Sequence, residues 1–321
     1  MNILRVLLGV VSFFFVATSM VASDLNKKQL AYIVSDMSIP FWQIMSRGVQ
    51  NSANSLGYEV VIYSSNNNAK TEIEHTVKAL KNKVDGIIIS PTNSLACVTI
   101  LRLAKNAGIP VVISDIGTDG GEYLSYISSN NLDGAYNIGK VLTKKMIDIN
   151  AQNQRVGIIA IPQQRANGKA RTAGFMQALG EAGIKGADIK QQVTFSYEET
   201  YEYSKELINT YPDLKAIWLQ GSDKYKGALD AIKESGKEGE ILLITFDAEP
   251  EFIELIENGV LVGSAMQQPY LMGQESVKVM DDHLKGKEVQ KNIQLQVLAI
   301  SSENIKEMLP TINKNVLGLE K

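Results

Sequence analysis

The chain has 321 residues, a formal net charge of −3 and a single cysteine, Cys97. Positive and negative side chains are interspersed along it, which excludes the basic stripe that a phosphate backbone needs and argues against a nucleic-acid partner. With Cys97 alone there is no internal disulfide, so the fold has to rest on its core.

The first segment reads as an export signal. Arg5, an apolar run over 6–17 and the small residues Val21, Ala22 and Ser23 match a cleaved leader. Residues 1–23 are expected to be removed, leaving a soluble chain in the periplasm of a Gram-negative bacterium. No later stretch is long and apolar enough for a membrane span.

Short β-branched runs then alternate with amphipathic stretches of about a dozen residues, the pattern of repeated βαβ units. Strand 30–35 leads to a helix over 40–56, where Pro40 suits a first turn and Gly57 a C-terminus. Strand 60–63, a polar loop, helix 70–81 and the buried strand 86–90 follow. Helix 95–107 ends at Gly108, and strand 111–114 ends on Asp115. After a glycine-rich loop at 117–121 and a short run at Tyr126 and Ile127, a helix over 131–149 starts the series again. Its strands are expected at 156–161, 189–194, 216–220 and 241–246. A last pattern, strand 261–265, helix 270–284 and strand 294–300, reads as chain passing back between two similar halves. The fold class is α/β, with two Rossmann-like lobes built on parallel sheets.

In open parallel sheets ligands sit beyond the carboxyl ends of the strands, so polar residues there carry first weight. They are Asp36, Asp115, Gln220 and Asp247. An aspartate at such a place also caps the next helix or turn, and that reading is preferred for Asp36. Asp115 and Asp247 end wholly apolar strands, where a buried carboxylate needs partners such as sugar hydroxyls. Phe41 and Trp42 are neighbours at a helix start and cannot both fill one core face, which leaves a ring for stacking on a sugar. Phe195 poses the same question. Asn167 and Arg171, four apart, can share one helix face toward a ligand, against a solvated first turn. Gln267 and Gln268 precede Pro269 as hydroxyl partners or as a polar hinge.

Enzyme signatures are missing: there is no HExxH, no G-x-S-x-G elbow and no P-loop. His75 and His283 read as surface residues, and Cys97 as small core filler. No catalytic residue, cofactor or metal site is expected.

Taken in order, Pro40-Phe41-Trp42, the run 65–70, Asp85 to Pro91, Gly108 to Val112, Ala170-Arg171-Thr172, Phe246-Asp247 and Gln267-Gln268-Pro269 with Gly273 resemble the periplasmic binding proteins of the ribose and galactose type. The resemblance implies two lobes joined by three crossings, near 128–130, 265–268 and 298–301, closing on a sugar. The lobes would be 24–129 plus 268–298 and 130–267 plus 299–321. It implies ligand contacts from Phe41, Trp42, Asp115, Asn167, Arg171, Phe195, Asp247 and Gln267. Three polar positions of the ribose binders are occupied instead by Ile39, Ile116 and Gly221, so a ligand with fewer hydroxyls or more bulk is expected. The implied function is a monomeric, non-enzymatic solute-binding protein that serves an ABC importer. The alternative is presentation of the closed form to a membrane chemoreceptor or sensor kinase. On this reading Asp247→Ala or Arg171→Ala abolishes binding and spares the ligand-free fold.

Overall fold

A computed structural model describes residues 28–319, and the expected export signal at 1–23 lies outside the described residues. The alternation of strand and helix seen in the sequence folds into two six-stranded sheets flanked by helices.

The first half runs β1 (Gln29–Val34), α1 (Pro40–Ser55), β2 (Glu59–Ser64), α2 (Ala69–Lys81), β3 (Gly86–Ser90), α3 (Ser94–Ala107), β4 (Val111–Ser114) and β5 (Ser125–Ser129). Local chemistry sets these bounds. Asn68 accepts hydrogen bonds from the amides of Lys70 and Thr71 at the start of α2, and Asn93 accepts one from Ala96 at the start of α3. Gly108, at φ 70°, closes α3 in a left-handed turn. β3 is buried along its whole length, and each fully buried isoleucine in it contributes on the order of 1.5–3 kcal/mol.

The second half repeats the plan with α4 (Asn131–Asp148), β6 (Arg155–Ala160), α5 (Ala166–Glu181), β7 (Lys185–Gln191), α6 (Tyr197–Thr210), β8 (Leu214–Leu219), α7 (Tyr225–Glu234), β9 (Leu242–Phe246), α8 (Phe252–Glu257) and β10 (Gly263–Met266). Then come α9 (Pro269–Leu284), β11 (Asn292–Leu295), β12 (Leu298–Ser301) and α10 (Ile305–Thr311). The sheet orders, β11-β5-β4-β3-β1-β2 and β12-β10-β9-β8-β6-β7, correspond position by position. All pairings are parallel except β12 against β10. α9 packs on α1 through Gly48 and Gly273, where an added Cβ would strike the facing backbone.

Two strand expectations are corrected. The strand expected at 294–300 is two strands in different sheets, so the third passage lies at Gln296 and Val297, and 298–301 is already β12. Two sheet edges must each be completed there, and a continuous apolar pattern hides the break. The strand expected at 189–194 is β7, which stops at Gln191. Beyond it the amides of Val193, Thr194 and Phe195 turn to the Glu199 carboxylate instead of the β6 ladder, and Val193 is 76% exposed despite its β-branched side chain. His75 also departs from the surface reading: it is half-buried against Tyr63, with ring centroids 5.1 Å apart. The end of the chain crosses back as well. Asn315 donates to Gln268, Arg47 donates to the Leu317 carbonyl, and Ile312 and Val316 share a core cluster with Ile44 and Tyr270. Among the described residues no helix is long and apolar enough to cross a membrane.

Candidate ligand-binding site

Both sheets turn strand ends toward one cleft of about 90 Å³, space for several waters or a small ligand. All eight residues singled out in the sequence line it: Phe41, Trp42, Asp115, Asn167, Arg171, Phe195, Asp247 and Gln267. So do Ile39, Ile116 and Gly221. A larger hollow, about 350 Å³ beside Leu229 and Val260, gathers no buried polar groups and has no comparable chemistry.

The two aspartates occupy equivalent places. Asp115 follows β4 and donates its amide to the Ile127 carbonyl at 2.9 Å; Asp247 follows β9 and donates to the Ala265 carbonyl at 2.8 Å. The carbonyls of Asp115 and Asp247 in turn each accept a hydroxyl from the neighbouring strand, from Tyr126 and Ser264 respectively. Both sit at left-handed backbone angles, φ 63° and 69°, as does Phe195 at 54°. Such angles persist in non-glycine residues where surrounding bonds over-determine them, and they cluster at binding sites.

Around Asp247 the site is already knit together. Gln267 Nε2 donates to its Oδ1 at 2.6 Å, and the Arg171 guanidinium lies 3.6 Å from Oδ2. Arg171 is 3% exposed. Its Nε donates to Asn131 Oδ1 at 2.8 Å, its NH1 to the Gln220 carbonyl at 2.6 Å, and its plane lies 3.8 Å from the Phe246 ring centroid. This bonding argues against the expectation that Arg171→Ala would spare the fold. Arg171 holds the start of α4, the end of β8 and Asp247 together, and its loss strands buried partners. Burial pushes the Asp247 carboxyl above its ordinary value and the Arg171 guanidinium below its own, each opposed by the other.

Asp115 is different. It is 5% exposed, and its Oδ1 is buried without a hydrogen-bond partner. Burial pushes its carboxyl up to about 6, against the pull of Arg171. Gln267 Oε1 is a second buried acceptor without a partner. Unpartnered buried acceptors cost on the order of 1–3 kcal/mol each, which a ligand hydroxyl would relieve.

Trp42, 7% exposed, packs into the first half's core, and Phe41 meets it edge to face with centroids 4.9 Å apart. Phe195 is held from the second half by bonds on both sides of the N-cap of α6. Ser196 Oγ accepts the Glu199 amide at 3.1 Å while Glu199 accepts the Phe195 amide at 2.8 Å. Asn167 uses its Oδ1 on the Gly168 amide, at 3.0 Å. Asp36 caps the turn that follows β1 through the Ser38 amide and hydroxyl.

Sequence reasoning missed Arg165, Asn131, Gln192 and Asp223. Arg165 precedes α5, lines the cleft and lies 5.6 Å from the Phe195 ring centroid. It follows the end of β6, so the strand-end rule applied there would have found it. Asn131, the first residue of α4, acts through Arg171 and carries no comparable signal.

A model of the periplasmic binding protein domain matches residues 30–288. The chain is 28% identical to the ribose import binding protein of Salmonella typhimurium, over 84% of this chain and 89% of that protein. It is 25% identical to the D-allose-binding periplasmic protein of Escherichia coli, over 81% and 86%. A solved carbohydrate transporter solute-binding protein from Agrobacterium radiobacter, in complex with D-arabinose, superposes with a TM-score of 0.82 at 21% identity, covering 91% of this chain and 99% of that one.

Proposed function

The chain belongs to the periplasmic binding protein domain family, and on that premise we propose that it is an exported, non-enzymatic solute-binding protein. It holds one neutral sugar between its two halves and delivers it to an ABC importer. The observation that carries this reading is the pair of buried, unpartnered acceptors, Asp115 Oδ1 and Gln267 Oε1, in a cleft walled by Phe41, Trp42 and Phe195. A carboxylate and an amide oxygen without donors suit ligand hydroxyls, and aromatic faces suit the C–H face of a sugar ring. Three short passages between the sheets form the hinge about which the halves close. The names of the relatives, import and periplasmic sugar-binding proteins, support the importer.

The test is a thermal-shift screen of the chain after unfolding and refolding to strip ligand. Pentoses, hexoses, deoxy sugars and polyols are the probes. A sugar at 100 times its Kd stabilises by about 2.7 kcal/mol, a rise of several degrees. A well-folded sample that answers to no sugar overturns the reading.

A further inference from the structure

The two sides of the cleft are unequal in chemistry. The first half contributes Ile39, Phe41, Trp42 and Ile116 around the single carboxylate Asp115. Ile116 is 4% exposed and shares a core cluster with Trp42, against which Ile39 and Phe41 pack. The result is one continuous hydrocarbon surface. A ligand hydroxyl turned toward it would leave water and gain no partner, whereas a methyl or methylene group would lose nothing.

The second half presents the donors. The Arg171 fork is occupied by Asn131, Gln220 and Asp247. Arg165 lines the cleft, its guanidinium 5.6 Å from the Phe195 ring centroid, and feels the charge of Asp115. Charges balance in number: Arg171 lies 3.6 Å from Asp247, Lys224 lies 3.0 Å from Asp223, and the cleft's other two charged side chains are Arg165 and Asp115. A charged ligand would upset that balance.

We propose that this cleft selects a neutral sugar with one hydroxyl-free edge, a deoxy or methyl carbon, seated with that edge on Ile39 and Ile116 and with a ring or hydroxyl oxygen on Arg165. The inference rests on the sugar-binding reading above and narrows it. Arg165 is thereby a ligand-binding residue, donating from the second half where Ile116 offers no donor from the first.

Calorimetric titration of the ligand-free full chain with matched pairs tests it: D-fucose against D-galactose, L-rhamnose against L-mannose, and 2-deoxy-D-ribose against D-ribose. The deoxy sugar of at least one pair is expected to bind roughly 10- to 100-fold tighter than its parent. Ile116→Thr, which exchanges the ethyl arm of the side chain for a hydroxyl, should narrow that ratio. Arg165→Ala should weaken both members of the pair about equally. Parents that bind as tightly as their deoxy partners in every pair overturn the selection while leaving the sugar reading intact. An unchanged affinity in Arg165→Ala removes that residue from the site, and silence from all six sugars and the wider screen overturns both readings.

Discussion

Asp115 and Asp247 stand at the same place in two copies of one plan, yet only one of them is fully held. Each follows the fourth strand of its half at a left-handed angle, with its amide and carbonyl bound to the adjoining strand. Asp247 is bound by Gln267 and flanked by Arg171, whereas the Oδ1 of Asp115 has no partner. The backbone thus delivers a carboxylate to the cleft from both sides, and the side chains around it divide the labour. The second half is an organised polar platform; the first is a hydrocarbon cover with one unanswered carboxylate.

The contrast is broken most severely at Arg171. Arg171→Ala should cost about 3–5 kcal/mol in denaturant unfolding and abolish ligand binding, because it leaves Asp247, Asn131 and the Gln220 carbonyl buried without their partner. A ligand-free protein as stable as the wild type would show that the platform does not depend on it.

Asp115→Asn sharpens the contrast by separating binding from stability. Ligand affinity should fall roughly 10- to 100-fold, in line with the loss of a hydrogen bond to a charged group. The ligand-free protein should gain about 1–3 kcal/mol at pH 7.5. The sign follows from linkage: a folded-state value raised to about 6 means that the native state holds the proton more tightly than the unfolded one. Stability from this group is therefore lost as pH rises from the ordinary carboxylate range through 6, and asparagine removes that loss. At pH 4 the gain should vanish. A variant less stable than wild type at pH 7.5 would mean that Asp115 has a structural partner. For the wild type, affinity should weaken as pH falls below about 6, because protonation costs Asp115 its role as a charged acceptor; affinity constant from pH 7.5 to 5 would contradict that role.

Smaller still is Glu199→Gln, at the loop carrying Phe195. It weakens three amide contacts on a partly exposed turn and should reduce affinity only a few-fold, with a stability change of about 1 kcal/mol or less. An unchanged affinity would show that Phe195 keeps its place without Glu199.

Much of this was legible in the sequence because strand ends in doubly wound sheets are both readable and ligand-facing. Asp115 and Asp247 follow short, mainly apolar strands, VVIS and LLITF, and Phe41 with Trp42 sits at a proline-started helix. What escaped depends on distant partners. The break between β11 and β12 follows from two sheets each needing an edge strand, and neither Gln296 nor Val297 is a turn-former. Arg171 as a structural clasp required Asn131, forty residues away, and β7 ended early because Glu199 captured the amides that a propensity reading assigns to the ladder.

The most direct test of the account is a crystal structure of the full chain with the tightest sugar from the screen. The account predicts one sugar between the two halves, a hydroxyl donating to Asp115 Oδ1 and another to Gln267 Oε1, and a ring face on an aromatic side chain. A sugar bound elsewhere, or one that leaves both of those acceptors unpartnered, would contradict it.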